Sequence, residues 1–156
     1  MNTINDQRST ACGCAPSTGD IRNGSIDAAC WPLVVLRMPN HVPDEDADEL
    51  LVRIQALYGR NEPFALLLEG AELPRHSPRF MNAYAKWSRD NHALQQRYCV
   101  GAVRIEADET RRREYLAKMD GGAAARMPYP YRVVATRAQA EAQARAWLES
   151  RASAVR

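Results

Sequence analysis

The stretches Phe64-Ala-Leu-Leu-Leu-Glu69 and Cys99-Val-Gly-Ala-Val-Arg-Ile105, with the helical pattern between them, decide the fold. The first stretch is apolar, lies between Pro63 and Gly70 and is too short for a helix, which predicts a strand covered on both faces. The second stretch is apolar in the same way. A strand, a helix and a strand form a βαβ unit, whose two strands we expect to be parallel. The intervening large side chains recur at alternating steps of four and three, as on one helix face: Phe80, Tyr84, Trp87, Asn91, Leu94 and Tyr98.

Upstream of this unit, the sequence predicts one more strand and one more helix. Trp31–Arg37 contains the continuous apolar run Leu33-Val-Val-Leu36, which indicates a central strand. Asp44-Glu-Asp46 places negative charge in the first turn of the next helix, where the helix dipole favours it. The predicted buried stripe of that helix is Ala47, Leu50, Leu51, Ile54, Leu57 and Tyr58.

Two helix starts and one helix end can be read downstream. Ser77-Pro78 is a serine N-cap followed by proline, and it opens a single helix that we expect to reach about Arg97. Asp108 can cap a third helix, which Gly121-Gly122 ends. The predicted inward side of this third helix is Tyr115, Leu116 and Met119.

The C-terminal part predicts a last strand and a last helix. The strand is Tyr131–Ala135, and Thr136-Arg-Ala-Gln139 has the capping-box pattern that opens a helix. From Ser150 onward we expect a short polar tail. The inward face of the last helix would consist of small residues and one large anchor, namely Ala140, Ala144, Trp147 and Leu148.

Strict alternation of strands and helices defines the fold class as α/β. Right-handed crossovers then give a mostly parallel sheet of four or five strands with helices on its faces. At 156 residues the chain is long enough for one domain, which we place at residues 31–150. Residues 1–30 hold few large apolar side chains, so we expect a flexible tail there, with an edge strand in Ile21–Ala28 as an open alternative.

Composition restricts the partners of the chain. A net charge of +2 is too small to argue for nucleic acid, and no apolar run approaches the roughly 20 residues of a membrane span. The first residues show no basic segment followed by an apolar one, so we expect no secretory signal and a cytoplasmic location. In the cytoplasm the four cysteines should stay reduced. They are Cys12, Cys14, Cys30 and Cys99.

The chain resembles the SpoIIAA-like proteins of the STAS fold. The resemblance spans about residues 31–148 and is carried by the stretch from Asn91 to Val103, by Pro130-Tyr-Arg-Val-Val-Ala-Thr136, and by Ala146-Trp-Leu148. In that family a similar strand enters a last helix with a similar Ala-x-x-Trp-Leu pattern. The resemblance implies a small cytosolic binding or regulatory module, as in anti-anti-sigma factors and in relatives linked to nonpolar ligands.

The candidate binding residues lie after two of the predicted strands. If those strands are neighbours, the loops would converge beside a helix N-terminus and suit an anionic ligand or a phosphoserine. The alternative is a set of solvated loop residues. The candidates are His41, Arg75, His76, Ser77 and Arg79.

Ser77 has two interpretations. In the phosphorylated anti-anti-sigma branch, a serine at the corresponding helix start lies in an Asp-Ser-Ser/Thr-Gly-like motif. Here the region reads Glu69-Gly-Ala-Glu-Leu-Pro-Arg-His-Ser-Pro-Arg79, without that motif. Proline directly after Ser77 favours a helix cap over a phosphorylation switch.

Motifs of enzymes and metal sites are missing from the sequence. It has no GxSxG, no Walker A, no GxGxxG and no HExxH pattern, so we expect no catalysis. Cys12-Gly-Cys14 offers two ligands, whereas zinc normally takes four, so we expect no metal and no cofactor.

The sequence therefore favours a non-catalytic module that holds a protein partner through its strand-end loops and second helix. A carrier or sensor of a small apolar or anionic ligand is the first alternative, and an enzyme using His41 and His76 is the second. The tyrosine and tryptophan side chains of the second helix could line a pocket, although such a stripe is more often core. A homodimer stays open.

Overall fold

The computed structural model describes residues 25–72, 74 and 76–155. These residues form five strands and five α-helices, with two short helical turns between the fourth and the fifth helix. The strands are β1 (Ser25–Asp27), β2 (Leu33–Met38), β3 (Phe64–Gly70), β4 (Cys99–Ile105) and β5 (Tyr131–Val134). The helices are α1 (Asp44–Tyr58), α2 (Pro78–Asp90), α3 (His92–Tyr98), α4 (Glu109–Lys118) and α5 (Arg137–Ala154).

The five strands form one sheet whose spatial order follows the order along the chain. Strands β2, β3, β4 and β5 are parallel to their neighbours, and β1 is antiparallel to β2 at the edge. The predicted α/β class with a mostly parallel sheet is thereby confirmed. The edge strand lies within the predicted segment, of which residues 21–24 fall outside the described residues. Right-handed crossovers between neighbouring parallel strands put their connecting helices on a single face.

Helix α5 covers the other face of the sheet. Its buried Ala140 and Ala144 pack with apolar side chains of β2, β3 and β4, and Trp147 and Leu148 pack against the same cluster. The close approach depends on Gly101, because a Cβ atom there would lie 2.3 Å from two atoms of the Trp147 ring. The predicted inward face of the last helix is therefore correct.

The capping predictions for α4 and α5 are confirmed. The Asp108 carboxylate accepts a hydrogen bond from the Arg111 backbone N–H at 2.8 Å. Thr136 and Gln139 form a complete capping box at the start of α5. That helix continues to Ala154, so the expectation of a tail from Ser150 is wrong.

The single long helix predicted from Ser77 to about Arg97 is in fact two helices. The chain leaves helical geometry at Asn91, with φ −120° and ψ 30°. The Asn91 amide group donates to the Trp87 carbonyl at 2.9 Å, and the Gln95 amide donates to the Ser88 carbonyl at 3.0 Å. Side chains that bond backbone carbonyls in this way compete with regular helix hydrogen bonds, which accounts for the break at Asn91. The helical spacing of large side chains in the sequence continues across this break.

The region after α4 also differs from the prediction. Leu116 was expected to face inward but is 43% exposed, whereas Tyr115 and Met119 are half-buried. Beyond α4 the chain continues through a π-helical turn, Met119–Ala123, and a short 3₁₀ turn, Ala124–Arg126. Gly122 has φ 104°, a left-handed conformation that glycine adopts without strain. This segment runs back to β5 over the α1–α2 side of the sheet.

Candidate functional site

The loops after β2 and β3 meet, as expected for neighbouring parallel strands. His41 Nδ1 lies 3.0 Å from the backbone oxygen of His76 and 3.4 Å from Ser77 Oγ. Both histidines are exposed. The structure therefore brings together three of the five predicted site residues.

Ser77 occupies the N-cap position of α2, but its side chain has a different role from the one predicted. Its Oγ accepts a hydrogen bond from the Val42 backbone N–H at 2.6 Å instead of capping α2. The residue is 1% exposed. Ser77 thus joins the start of α2 to the loop after β2, and the expectation of a side-chain helix cap is wrong because Val42 supplies the donor.

The predicted pair of arginines, Arg75 and Arg79, does not form a positive cluster at this loop site within the described residues. Arg79 forms an ion pair with Asp48 on α1, with Nη2 2.8 Å from the carboxylate. Both side chains are exposed to solvent. Arg75 lies outside the described residues.

A cavity of about 340 Å³ lies on the α1–α2 side of the sheet. Its floor comes from β2, β3, β4 and β5, and its walls come from α1, α2, α3 and the segment of residues 119–129. We call it the sheet cavity. Its apolar and aromatic lining includes Leu36, Met38, Ile54, Leu57, Tyr58, Leu66, Leu68, Phe80, Tyr84, Met119, Met127, Tyr129 and Tyr131.

Tyrosine hydroxyls provide hydrogen-bonding groups in the sheet cavity. Burial raises the pKa of Tyr58, Tyr84 and Tyr129 above the ordinary value and raises the pKa of Tyr131 to about 12. The hydroxyl groups of Tyr84 and Tyr129 lie close enough to affect each other's pKa. All four hydroxyls stay protonated near neutral pH and can donate.

Gln95 and Ser88 contribute polar atoms that are largely satisfied within the protein. The Gln95 amide nitrogen donates to the backbone oxygen and to Oγ of Ser88, each at 3.0 Å. These hydrogen bonds fix the contact between α2 and α3. We therefore assign both residues to the wall of the cavity rather than to ligand recognition.

Arg104 is the charged residue buried in the lining of the sheet cavity. It lies near the end of β4 and is 2% exposed. One of its terminal nitrogens donates to the Gly70 carbonyl, and its guanidinium carbon lies 4.7 Å from the centre of the Tyr115 ring. The Tyr131 hydroxyl lies close enough for the guanidinium to affect its pKa. Within the described part of the chain, its Nε–H has no acceptor and its nitrogens have no carboxylate within 4.0 Å.

Other charges surround this end of the cavity. Glu72 lines the cavity, and its carboxylate is 3.2 Å from the Lys118 ammonium group. Arg126 also lines the cavity and is exposed. The Glu69 carboxylate is paired with Arg37 at 2.6 Å and lies 3.6 Å from Arg137. The carboxylates are thus paired with other cations, and the buried charge of Arg104 is left to neutral partners.

Arg104 is not among the site residues that the sequence predicts. The pattern that could have indicated it is an arginine inside the apolar stretch 99–105. A charged side chain is rarely buried in a strand that is covered on both faces, because water cannot solvate it there. The spacing of the aromatic stripe on the second predicted helix favours a place in the core. Trp87 and Tyr98 do pack against the core, whereas Tyr84 also lines the cavity.

The cysteines do not form a described ligand set. Cys99 is buried, and burial raises the pKa of its thiol to about 12. Cys30 is disulfide-bonded, so the expectation that it stays reduced is wrong in this structure. Cys12 and Cys14 lie outside the described residues. Over residues 25–72, 74 and 76–155, no three His, Cys, Asp or Glu side chains come together as a metal site would require.

The comparisons with known proteins give no relative. No family model, no curated protein and no solved structure matches the chain. Within the described ranges, every helix is too short or too polar to cross a membrane. The cytoplasmic location and the homodimer stay predictions.

Proposed function

We propose that the chain is a non-catalytic binding module that holds a small, mainly apolar ligand in the sheet cavity. The observation that supports this function is the cavity itself, about 340 Å³ of space lined by aliphatic, methionine and aromatic side chains. Binding sites for small molecules commonly have volumes of roughly 300–1,000 Å³ and a mostly apolar lining with a few polar groups. This cavity is at the small end of that range.

The place of the cavity in the fold supports the same function. Residues at the carboxyl ends of β2 and β3 lie at one end of it, among them Met38, Glu69 and Ala71. Ligands of open α/β sheets bind beyond the carboxyl ends of the strands. An apolar ligand would gain about 25 cal/mol for each Å² of apolar surface removed from water.

Membership of the SpoIIAA-like group of the STAS fold is also a proposal. It is supported by the order of elements, in which β5 leads through Thr136 into α5, and by the packing of Trp147 against the sheet. Some members of the group that the sequence resembles are linked to nonpolar ligands, and a role of this chain as a carrier or sensor of such a ligand would agree with them. Family membership is not required for the ligand-binding proposal.

A protein partner held by the strand-end loops and α2 is the second candidate function. The exposed pair His41 and His76 favours it, because both side chains are accessible where the loops meet. Use of this pair in catalysis has less support. Ser77 Oγ, the nearest hydroxyl, is buried and already accepts a hydrogen bond from Val42.

Fluorescence of N-phenyl-1-naphthylamine, a neutral apolar probe, tests the proposed function. We expect the wild-type chain to bind one probe molecule with enhanced, saturable fluorescence. Leu68→Trp should fill part of the cavity and weaken binding at least about tenfold, since Leu68 belongs to its lining. Val52→Trp is the matched control, because Val52 is 60% exposed on α1.

Two results would overturn the proposed function. One is the absence of saturable binding by the wild-type chain. The other is equal loss of binding in Leu68→Trp and Val52→Trp, which would place the probe on the surface. Circular dichroism of both variants verifies that they are folded.

A further inference from the structure

We infer that the ligand of the sheet cavity is an aliphatic carboxylate whose head group binds the guanidinium of Arg104. This inference rests on the proposed function, because it assigns chemistry to the same cavity. The inference specifies the charge of the ligand and its orientation in the cavity. The carboxylate would lie at the β4 end of the cavity, and the hydrocarbon part would lie among the leucine, methionine and tyrosine side chains.

The first reason is that, among the described residues, the buried charge of Arg104 has no counterion. Burying a cation is costly unless it is paired and hydrogen-bonded. In the residues that the structure describes, the guanidinium has the Gly70 carbonyl, the Tyr115 ring and the Tyr131 hydroxyl as neighbours, and its Nε–H has no acceptor. These partners are neutral. An anion in the cavity would supply the charge that the protein leaves out.

The second reason is the sign of the surrounding charge. The charged side chains of the lining are Arg104, Arg126, Glu69 and Glu72. Both carboxylates are paired with cations, Glu69 with Arg37 and Glu72 with Lys118. With these two partners included, the group of six side chains carries four positive charges and two negative charges. The balance attracts an anion and repels a cation.

The third reason is the donor geometry, which suits a carboxylate. A guanidinium presents a planar set of N–H groups that matches the two oxygens of a carboxylate. Tyr131 lies beside it, and its hydroxyl remains a donor because its pKa is raised to about 12. Arg126 and Lys118 are exposed, so Arg104 carries the buried positive charge at this end of the cavity. It matches the single negative charge of a carboxylate, and the Tyr131 hydroxyl adds a hydrogen-bond donor. A phosphate monoester would bring a second negative charge that is met only by exposed side chains.

Competition against N-phenyl-1-naphthylamine tests the inference. Octanoate, octanol and octyl phosphate share one hydrocarbon chain and differ in the head group. We expect octanoate to displace the probe from the wild-type chain at a concentration at least about tenfold lower than octanol, the factor that one charged hydrogen bond supports. Octyl phosphate should compete less well than octanoate.

Variants then locate the head group. Arg104→Met removes the charge and keeps an apolar side chain, so the advantage of octanoate over octanol should disappear while the probe still binds. Arg104→Lys should retain part of the advantage. Arg132→Met is the matched control, because Arg132 lies on the neighbouring strand β5, is exposed and is not part of the lining. It should behave like the wild type.

The outcomes separate the two proposals. Failure of the probe to bind the wild-type chain overturns the proposed function. Probe binding with equal competition by octanoate and octanol leaves the proposed function intact and overturns the carboxylate. Stronger competition by octyl phosphate than by octanoate also overturns it. If Arg104→Met fails to fold, competition by octanoate, octanol and octyl phosphate on the wild-type chain and on Arg104→Lys still tests whether the ligand is a carboxylate.

Discussion

The two faces of the sheet are filled in different ways. On the α5 face, two alanines and Trp147 bring the helix so close that Gly101 has no room for a Cβ atom. On the α1–α2 face, large aromatic side chains and the helices α1, α2 and α3 enclose a cavity of about 340 Å³ with Arg104 in its lining. The tightly packed face stabilises the fold. On the other face, the cavity and a buried arginine without a carboxylate partner among the described residues leave apolar surface and a charge that a ligand can contact.

The largest effect that tests this comparison is expected for Trp147→Ala. Removing the large anchor of α5 should lower the free energy of unfolding by about 3–5 kcal/mol, because the tightly packed face would be left with a cavity. Urea unfolding followed by circular dichroism measures the loss. A loss below about 1 kcal/mol would mean that α5 does not stabilise the sheet as its contacts indicate.

A pair of enlarging substitutions compares the faces directly. Gly101→Ala should cost about 1–3 kcal/mol, because the new methyl group would collide with the Trp147 ring. Leu68→Phe adds more volume but points it into the sheet cavity, so its cost should stay below about 1 kcal/mol. Both values come from urea unfolding under the same conditions. Equal costs would contradict the difference between the faces.

Ser77→Ala tests how the cavity wall is attached. The Val42 N–H would lose its acceptor in a buried position, which should cost about 1–3 kcal/mol. Ser150→Ala, at an exposed position of α5, is the control and should change stability by less than about 0.5 kcal/mol. A thermal melt of Ser77→Ala identical to the wild type would rule out this anchoring role.

The smallest predicted effect is a dependence on alkaline pH. A tyrosine whose pKa is raised by folding stabilises the protein fully below pH 10, and this contribution is lost as the pH rises toward 12. For Tyr131, with a folded pKa of about 12, the loss by pH 10.5 is about 0.8 kcal/mol. Unfolding of the wild type and of Tyr131→Phe at pH 7 and pH 10.5 measures it. The variant should be less sensitive to pH; equal sensitivity would refute the role of this hydroxyl.

Local patterns in the sequence predicted much of the fold. The apolar runs that became β3 and β4, and the capping signals at Asp108 and Thr136, depend on neighbouring residues only. The break at Asn91 was missed because Asn91 continues the helical spacing while its side chain bonds the backbone. The order of the strands and the side of the sheet that each helix covers come from long-range packing.

The candidate site was harder to predict, since it depends on space left between elements. His41, His76 and Ser77 were placed together correctly because the ends of neighbouring parallel strands meet. The partner of Ser77 Oγ could not be read from the sequence, because it lies on another loop. A cavity has no local pattern at all, and an arginine within an apolar strand was the one visible sign of it.

Methyl NMR of the chain labelled with carbon-13 methionine tests the central claim most directly. Met38, Met119 and Met127 line the sheet cavity, whereas Met81 lies on α2 outside its lining. On addition of octanoate, we predict saturable shifts of the three lining methyl signals and an unchanged Met81 signal. Arg104→Met should weaken these shifts at equal octanoate concentration. Shifts of Met81 as large as those of the lining methionines, or no shifts at all, would contradict binding in the cavity.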